Sequence, residues 1–422
     1  MSRPEGTVRD TSHRSLLSAH EQLVDPYGGF GRVREETRIA RGMWGGGPAW
    51  FVTRHDDAAA VLADGRFVGN TGSLPGTTDA YAEAFATMGV RDELIPYMAG
   101  NLAAIDPPDH TRLRGLAAQV MSAERISALR PRIEAIAGEL LDALPGHAVG
   151  GTVDLVEHFT EPLSVATLCE LAGAEPTDRA RWHAWTGDYI SMDARRINAM
   201  LTEMSAHVRA QAERRRAAPA DDLVTALVRA QDEDGGALSD TELITMVLTV
   251  VVAGHKTTPH LVANGILALL THPDQLALLR ADPALMAGAV QEVLRWCGPA
   301  IVARLRYAAE DVTIGDTLIK RGDRVQVVLG AADHDPRRHP RPDRLDITRR
   351  RDADTPHLAY AGGAHRCLGA GLADQEIEVA FTALFARYPS LALAVPPDRL
   401  KWRPMPFTRQ LAQLPVTLKD DE

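Results

Sequence analysis

Cysteine is scarce in this chain of 422 residues: Cys169, Cys297 and Cys367 are all it has. They are scattered and odd in number, and no CxxC pair or Cys/His cluster has zinc spacing. A disulfide framework and a structural zinc site are therefore excluded, and the pattern fits a reducing compartment with at most one cysteine used for chemistry. Lysine is nearly as rare, at positions 256, 320, 401 and 419, so arginine carries the positive charge. Aromatic residues make up only 5%. An excess of cations is missing too: 46 Lys and Arg face 56 Asp and Glu, a net charge of −10. That balance argues against a general nucleic-acid or anionic-membrane binder. The longest apolar run, near 243–254, is too short for a bilayer and is broken by Thr245 and Thr249. The opening MSRPEGTVRDTSHRSLL has no apolar core, so neither a signal peptide nor an anchor is expected and the protein reads as soluble and cytoplasmic.

What is present is ordinary globular composition, 45% hydrophobic and 24% charged. A chain of this length can bury roughly 75% of its unfolded surface, enough for a closed interior pocket. Residues 1–25 are polar and read as a flexible N-terminal extension, with 26–422 as one domain. Trp50 to Arg54 is a predicted strand and 55–64 a helix with Asp56 and Asp57 in its first turn. Residues 65–104 have little periodicity and read as a long loop with at most a short helix. From 106 to about 235 the spacing is helical, as in Ile126, Leu129, Ile133, Ile136 and Leu140. Ser239 and Glu242 have the spacing of a capping box. They open a predicted helix over 239–271, about 45–50 Å long at 1.5 Å per residue, whose apolar middle must cross the interior. Another helix covers about 283–296. After Pro299 the period changes to two, predicting strands at 301–305, 312–314 and 325–328. A last helix spans about 368–387, and short strands fill 391–418. The fold class is mainly α with a minor β region.

One segment concentrates chemistry. Residues 360–374 read YAGGAHRCLGAGLAD. Gly362, Gly363, Gly369 and Gly371 surround Cys367, and glycines let a backbone pass close to a flat ligand. Cys367 stands just before a helix, whose first amides favour a thiolate. A thiolate in a dry, glycine-lined loop is a good ligand for a single iron. An isolated cysteine beside a glycine turn is more often plain core, but this one is not isolated. The segment resembles the cysteine loop of cytochromes P450, F-G-x-G-x-H-x-C-x-G-x-x-L-A-R. Gly363, His365, Cys367, Gly369, Leu372 and Ala373 match in register, while Tyr360, Ala361 and Asp374 depart from it. Three more motifs follow the family's order. Glu292 and Arg295 form E-x-x-R, and Ala253, Gly254, Thr257 and Thr258 match A-G-x-[DE]-T-[TS]. His110 and Arg114 match H-x-x-x-R after a D-P-P segment. The resemblance runs from about residue 45 to Pro415 and is greatest to the soluble bacterial branch.

The resemblance implies the P450 fold, with the long central helix over a haem (haem b, iron protoporphyrin IX), and O2 as co-substrate. Cys367 is then the axial ligand, a thiolate that favours O–O cleavage. His110, Arg114, Arg306 and His365 would neutralise the haem propionates. Glu292 and Arg295, joined by Arg349 in LDITR, would form a buried ion network that shapes the cysteine loop. Ala253 and Gly254 would leave room for O2, and Thr257 would help deliver protons. Pro259 lacks the N–H that would bond the His255 carbonyl, so a kink is expected there.

Lys256 stands where the family usually carries an acid. Lys256 counts with Thr257 among the candidate catalytic residues, and three readings are open: it points away to a nearby acid while protons arrive through Thr257 and water, the substrate supplies an OH or NH to an altered proton relay, or Lys256 pairs with an acidic substrate group. By resemblance the substrate pocket takes Val250, Ile301, Val302, Phe407 and Thr408. It would suit a bulky apolar natural product such as a macrolide, terpenoid or cyclised peptide. With no flavin-binding GxGxxG and no four-cysteine run, electrons are expected from a separate ferredoxin and its reductase. Their docking face would be cationic: Arg366 with several of Arg337, Arg338, Arg341, Arg349, Arg350 and Arg351. The implied activity is a haem-thiolate monooxygenase that hydroxylates a small molecule in natural-product biosynthesis. Epoxidation, C–C coupling, ring formation, a peroxide-driven reaction, or a non-catalytic accessory role are the alternatives.

Overall fold

The computed structural model describes residues 15–18, 21, 25–233, 238–350, 356–405 and 408–418. Its longest helix begins where Ser239 and Glu242 cap each other. The Ser239 Oγ accepts the Glu242 N–H at 3.2 Å, and the Glu242 carboxylate accepts the Ser239 N–H at 2.8 Å. This reciprocal arrangement satisfies two of the donors that open a helix and is worth about 1 kcal/mol. The helices that frame the interior, numbered in chain order, are α1 (His55–Ala63), α2 (Ala80–Met88), α3 (Asp109–Val120), α4 (Ala123–Ala143), α5 (Glu161–Ala172), α6 (Arg179–Ile190), α7 (Asp240–Thr271), α8 (Met286–Cys297) and α9 (Ala370–Arg387).

The two halves of α7 are buried in different clusters. Leu243 to Val251 pack with Trp182, Trp185 and Met200. Leu261 to Leu269 pack with α8, α9 and α4 through Val293, Phe381 and Ile136. Between the halves, Ala253 and Thr257 are exposed although they lie at the centre of the protein's longest helix. Exposure there is exposure to an internal cavity, the first structural sign of a site.

The β-strands are β1 (Ile39–Trp44), β2 (Gly47–Val52), β3 (Phe67–Val68), β4 (Thr152–Asp154), β5 (Arg306–Ala308), β6 (Val312–Ile314), β7 (Thr317–Ile319), β8 (Arg324–Val327), β9 (Ala392–Leu393) and β10 (Pro415–Thr417). The main sheet has the order β1-β2-β8-β5-β3, with β2 and β8 parallel. It puts Arg306 opposite Val325 and so fixes the chain that leads out of the cavity. β6 and β7 form a hairpin, and β4, β10 and β9 a small separate sheet.

The predicted strand at 301–305 does not form; regular pairing starts at Arg306. The alternation there has another cause. Ile301 packs against Phe30 and Val33, while Val302, Ala303 and Arg304 line the cavity. Two environments on either side of an irregular segment imitate the period of a ladder. The 65–104 stretch also holds more helix than expected. Asp79 caps α2 by accepting the Tyr81 and Ala82 amides, Gly89 ends it with φ +96°, and Ile95–Ala99 adds another turn. In the N-terminal extension, Leu17 is buried against Phe30 and Val33, so that part is packed rather than free; residues 1–14 lie outside the described residues. No described helix is long and apolar enough to cross a membrane.

Candidate active site

The cavity beneath the middle of α7 has a volume of about 350 Å³ and mainly apolar walls. Val250, Ala253, Gly254 and Thr257 come from α7, Val302 to Arg304 from the segment before β5, and Tyr360, Ala361 and His365 to Leu368 from the loop before α9. Cys367 faces it. The side chain is exposed, and the surface it exposes belongs to the cavity it lines. The loop is held from behind: the Cys367 N–H donates to the Tyr360 carbonyl at 2.8 Å. Gly363 has φ +64°, and a Cβ there would fall 2.0 Å from the Leu62 carbonyl oxygen at the end of α1. Gly363 is therefore required by its contact with α1. A Cβ built at Gly369 meets nothing nearer than 3.8 Å, while one at Gly371 would come within 3.3 Å of Ile126, tighter than ordinary contact.

The sulfur environment corrects one expectation. Burial pushes the Cys367 thiol up, and the Gly369 amide, Arg366 and Arg114 pull against that shift without overcoming it. One helix-end amide is not enough to favour the thiolate in the metal-free protein. A bound metal cation deprotonates a coordinating thiol outright, so the ligand role does not need a prior low pKa. Cys169 and Cys297 are buried and pushed up to about 12 by burial, which leaves Cys367 as the reactive cysteine.

Cationic and imidazole groups gather beside Cys367, and two of them, His110 and Arg306, are buried with nitrogens that have no hydrogen-bond partner. His110 is only 1% exposed, yet neither ring nitrogen has a hydrogen bond. Its ring centroid is 4.2 Å from that of His365, and burial drives its pKa down to about 4. Arg306, 5% exposed, has an unpartnered Nε. Arg114 lines the cavity and donates to the Arg366 carbonyl. The Nε2 of His365 lies 3.8 Å from an oxygen of Asp106. Burial alone would raise Asp106, but hydrogen bonds from His365, Gly69, Ser73 and Asn70 outweigh it and hold the carboxyl at about 2. Orphaned buried donors are rare in folded proteins unless a further group satisfies them. A rim of Arg114, Arg306, His110 and His365 beside a cysteine fits a planar ligand with two carboxylates.

Behind the loop, Glu292 accepts from Arg295 at 2.8 and 2.9 Å and from Arg349 at 3.0 and 3.1 Å. The three side chains come together as expected from the motif.

Two departures from the family pattern prove to be partners. The Tyr360 hydroxyl donates to Asp374 Oδ1 at 2.6 Å, and Gln291 donates to the other oxygen at 3.0 Å. The phenol and the carboxyl replace each other's usual company. The third departure, Ala361, carries strain: its φ is +55°, where glycine is favoured. Ala361→Gly should therefore stabilise the chain by about 0.5–1 kcal/mol, net of glycine's greater freedom when unfolded; a thermal midpoint no higher than wild type would refute this.

Other expected residues are placed differently. Lys256 is not on the cavity wall. Its amine lies 3.6 Å from Glu161 at the start of α5, whose carboxylate also accepts from Arg403 at 2.9 Å. Lys256 thus points away to an acid, and a direct catalytic contact is not observed. Gly254 owes its size to packing as well, since a Cβ there would meet Leu168 of α5 at 2.8 Å. Val250 and Val302 line the cavity. Ile301 does not, being core, and Thr408 is engaged in a bridge with Ala300. Phe407 lies outside the described residues. The docking patch shrinks, because Arg337 pairs with Glu35 and Asp335, Arg338 with Asp56, and Arg349 with Glu292. Arg351 is outside the described residues. Sequence reasoning missed Glu161, which carries no local signal, and Glu376, a buried carboxyl on the cavity floor pushed up to about 7 by burial.

A cysteine facing an apolar cavity, under a long helix with an inward threonine and beside a rim of arginine and histidine side chains, is the arrangement of an oxidoreductase site. Comparisons agree. The cytochrome P450 family profile matches residues 184–415. The chain is 39% identical over 400 residues to 6-deoxyerythronolide B hydroxylase of Saccharopolyspora erythraea, covering 94% of this chain and 96% of that one. It is 41% identical over 395 residues to the cytochrome P450 monooxygenase PikC of Streptomyces venezuelae, covering 93% and 91%. A crystal structure of the myxobacterial cytochrome P450 CYP267B1 in complex with myristic acid superposes with a TM-score of 0.85 at 34% identity, covering 96% of this chain and 99% of that one. The chain belongs to the cytochrome P450 family. It is a P450 monooxygenase, and the family implies haem iron, O2, a small-molecule substrate and redox partners.

Proposed function

We propose that residues 26–422 act as one P450 domain that holds haem b on Cys367 and oxidises a bulky apolar natural product. The observation that carries this is Cys367 facing an apolar cavity beside the unpartnered nitrogens of His110 and Arg306. Similar proteins named 6-deoxyerythronolide B hydroxylase and mycinamicin IV hydroxylase/epoxidase support the substrate class. Bound haem supplies the activation of O2. Cys367 binds the iron, and His110, Arg114, Arg306 and His365 hold the propionates and orient the ring. Apolar walls exclude water from the reacting face.

Thr257 Oγ1 donates to the Ala253 carbonyl at 2.8 Å, one turn back along α7. That bond uses the hydroxyl hydrogen and leaves both lone pairs of the oxygen free to accept from water in the cavity, a station for protons carried by water. Lys256 stays paired with Glu161 and supports helix packing. Ferredoxin and its reductase are the proposed donors, docking at Arg366 with Arg341 and Arg350. An accessory role without catalysis is disfavoured, since the ligand cysteine and the cation rim are intact.

The test is the reduced, CO-bound absorption spectrum together with turnover of a macrolactone panel under ferredoxin, reductase and NADPH. A thiolate-type Soret band with product formed by this electron supply is expected. A colourless protein, or turnover with hydrogen peroxide alone, would overturn the reading.

A further inference from the structure

One cation on the cavity wall is not used by the reading above. Arg304 is exposed to the cavity, two residues before the buried Arg306. Among the described residues it has no carboxylate within ion-pair distance and makes no hydrogen bond. Its guanidinium carbon lies 5.0 Å from the centroid of the Tyr81 ring on α2. The Tyr81 hydroxyl has no hydrogen-bond partner among the described residues. A guanidinium on the wall of an apolar cavity therefore has only an aromatic ring beside it, and no anion among the described residues reaches it.

The backbone beneath Arg304 is fixed. The Ala303 N–H donates to the Val327 carbonyl at 3.0 Å, and the Gln326 amide donates to the Ala303 carbonyl at 2.7 Å. The guanidinium is thus presented from an ordered support, which lowers the cost of engaging a ligand. An apolar molecule filling the cavity would shield Arg304 from water. Without an anion of its own it would leave a buried, unpaired charge, which is strongly unfavourable. A guanidinium with a phenol beside it matches the oxygens of a carboxylate.

We propose that this cavity takes an apolar molecule ending in a carboxylate, held by Arg304 with Tyr81 beside it. The proposal rests on the cavity being the P450 substrate site, and it adds the charged end that the apolar walls do not specify.

The test uses holoenzyme with dodecanoate and methyl dodecanoate at pH 7.5, read by calorimetry and by the spin-state shift. Wild type should bind the acid about tenfold or more tightly than the ester. Arg304→Leu should weaken the acid about tenfold and leave the ester unchanged, with Arg304→Lys retaining part of the preference. Tyr81→Phe should cost about two- to threefold for the acid alone. Arg304→Gln replaces the leucine variant if that one folds poorly. Equal affinities for acid and ester, binding of neither, or equal weakening of both by Arg304→Leu would overturn the proposal. So would loss of haem per chain in that variant, which would make Arg304 a propionate partner. Failure of the parent reading is seen separately, as a wild-type chain without the thiolate-type band, because calorimetry reports the preference without any haem signal.

Discussion

Cys367→Ala is expected to leave the metal-free protein as stable as wild type while abolishing the thiolate-type spectrum and monooxygenase turnover. Both halves follow from where the sulfur lies. Cys367 is exposed to the cavity, not packed in a core cluster. Truncation therefore removes little buried surface and opens no sealed void. The surrounding loop is held by other means, through the Cys367 N–H to the Tyr360 carbonyl and the contact of Gly363 with Leu62. The chemistry has no such redundancy. Cys169 and Cys297 are buried and pushed up to about 12, so neither replaces the lost ligand. Turnover should fall by about three orders of magnitude or more, the scale seen when the group that forms the reactive bond is removed. Measured side by side, urea unfolding of the metal-free chains and the reduced CO spectrum of the loaded ones separate the two effects. A variant that keeps the thiolate-type band would sink the assignment of position 367.

Legibility in the sequence followed the distance over which each interaction acts. The capping box of Ser239 and Glu242 and the pairing of Glu292 with Arg295 lie within one helical turn, and both are present as read. Arg349 was found only because a family pattern supplied the long-range link. Lys256 shows the opposite case. Its spacing on α7 gave no sign of its partner, since Glu161 reaches it from the start of α5. Tyr360 and Asp374 were two unrelated departures in one dimension, and they meet because the loop folds back over the first turns of α9. Side assignment also failed where no regular period exists. Ile301 enters the core and Val302 the cavity because an irregular segment runs between them. Sequence periodicity reports local geometry; which distant charge satisfies a buried one is decided by packing.

That principle makes Glu292 the position whose loss should cost most stability. Its carboxylate is 4% exposed and accepts from Arg295, from Arg349 and from the Asp346 N–H at 3.0 Å. Arg295, 3% exposed, also donates to the carbonyls of Asp333 and Pro342, both at 2.9 Å. The Asp333 carboxylate in turn accepts the Leu358 N–H at 2.6 Å, two residues before Tyr360. One carboxylate thus connects α8 to the segment that leads into the cysteine loop. Glu292→Gln keeps the shape but removes the negative charge and turns an NH2 toward guanidinium donors. Two cations are then left without an anion, for an expected loss of about 3–5 kcal/mol. Against the ~5–15 kcal/mol of a typical domain, that is a large share of the whole. Cofactor retention should fall with it, because the loop loses its anchor. The exposed Lys320–Asp311 pair is the control: its Nζ–O distance of 2.8 Å is as short, but both side chains are at least half exposed, so Lys320→Gln should leave the unfolding midpoint where it is. Chemical denaturation of the three proteins decides the matter. If Glu292→Gln unfolds within about 1 kcal/mol of wild type, well under the cost of a stranded buried charge, the network is not what holds the loop.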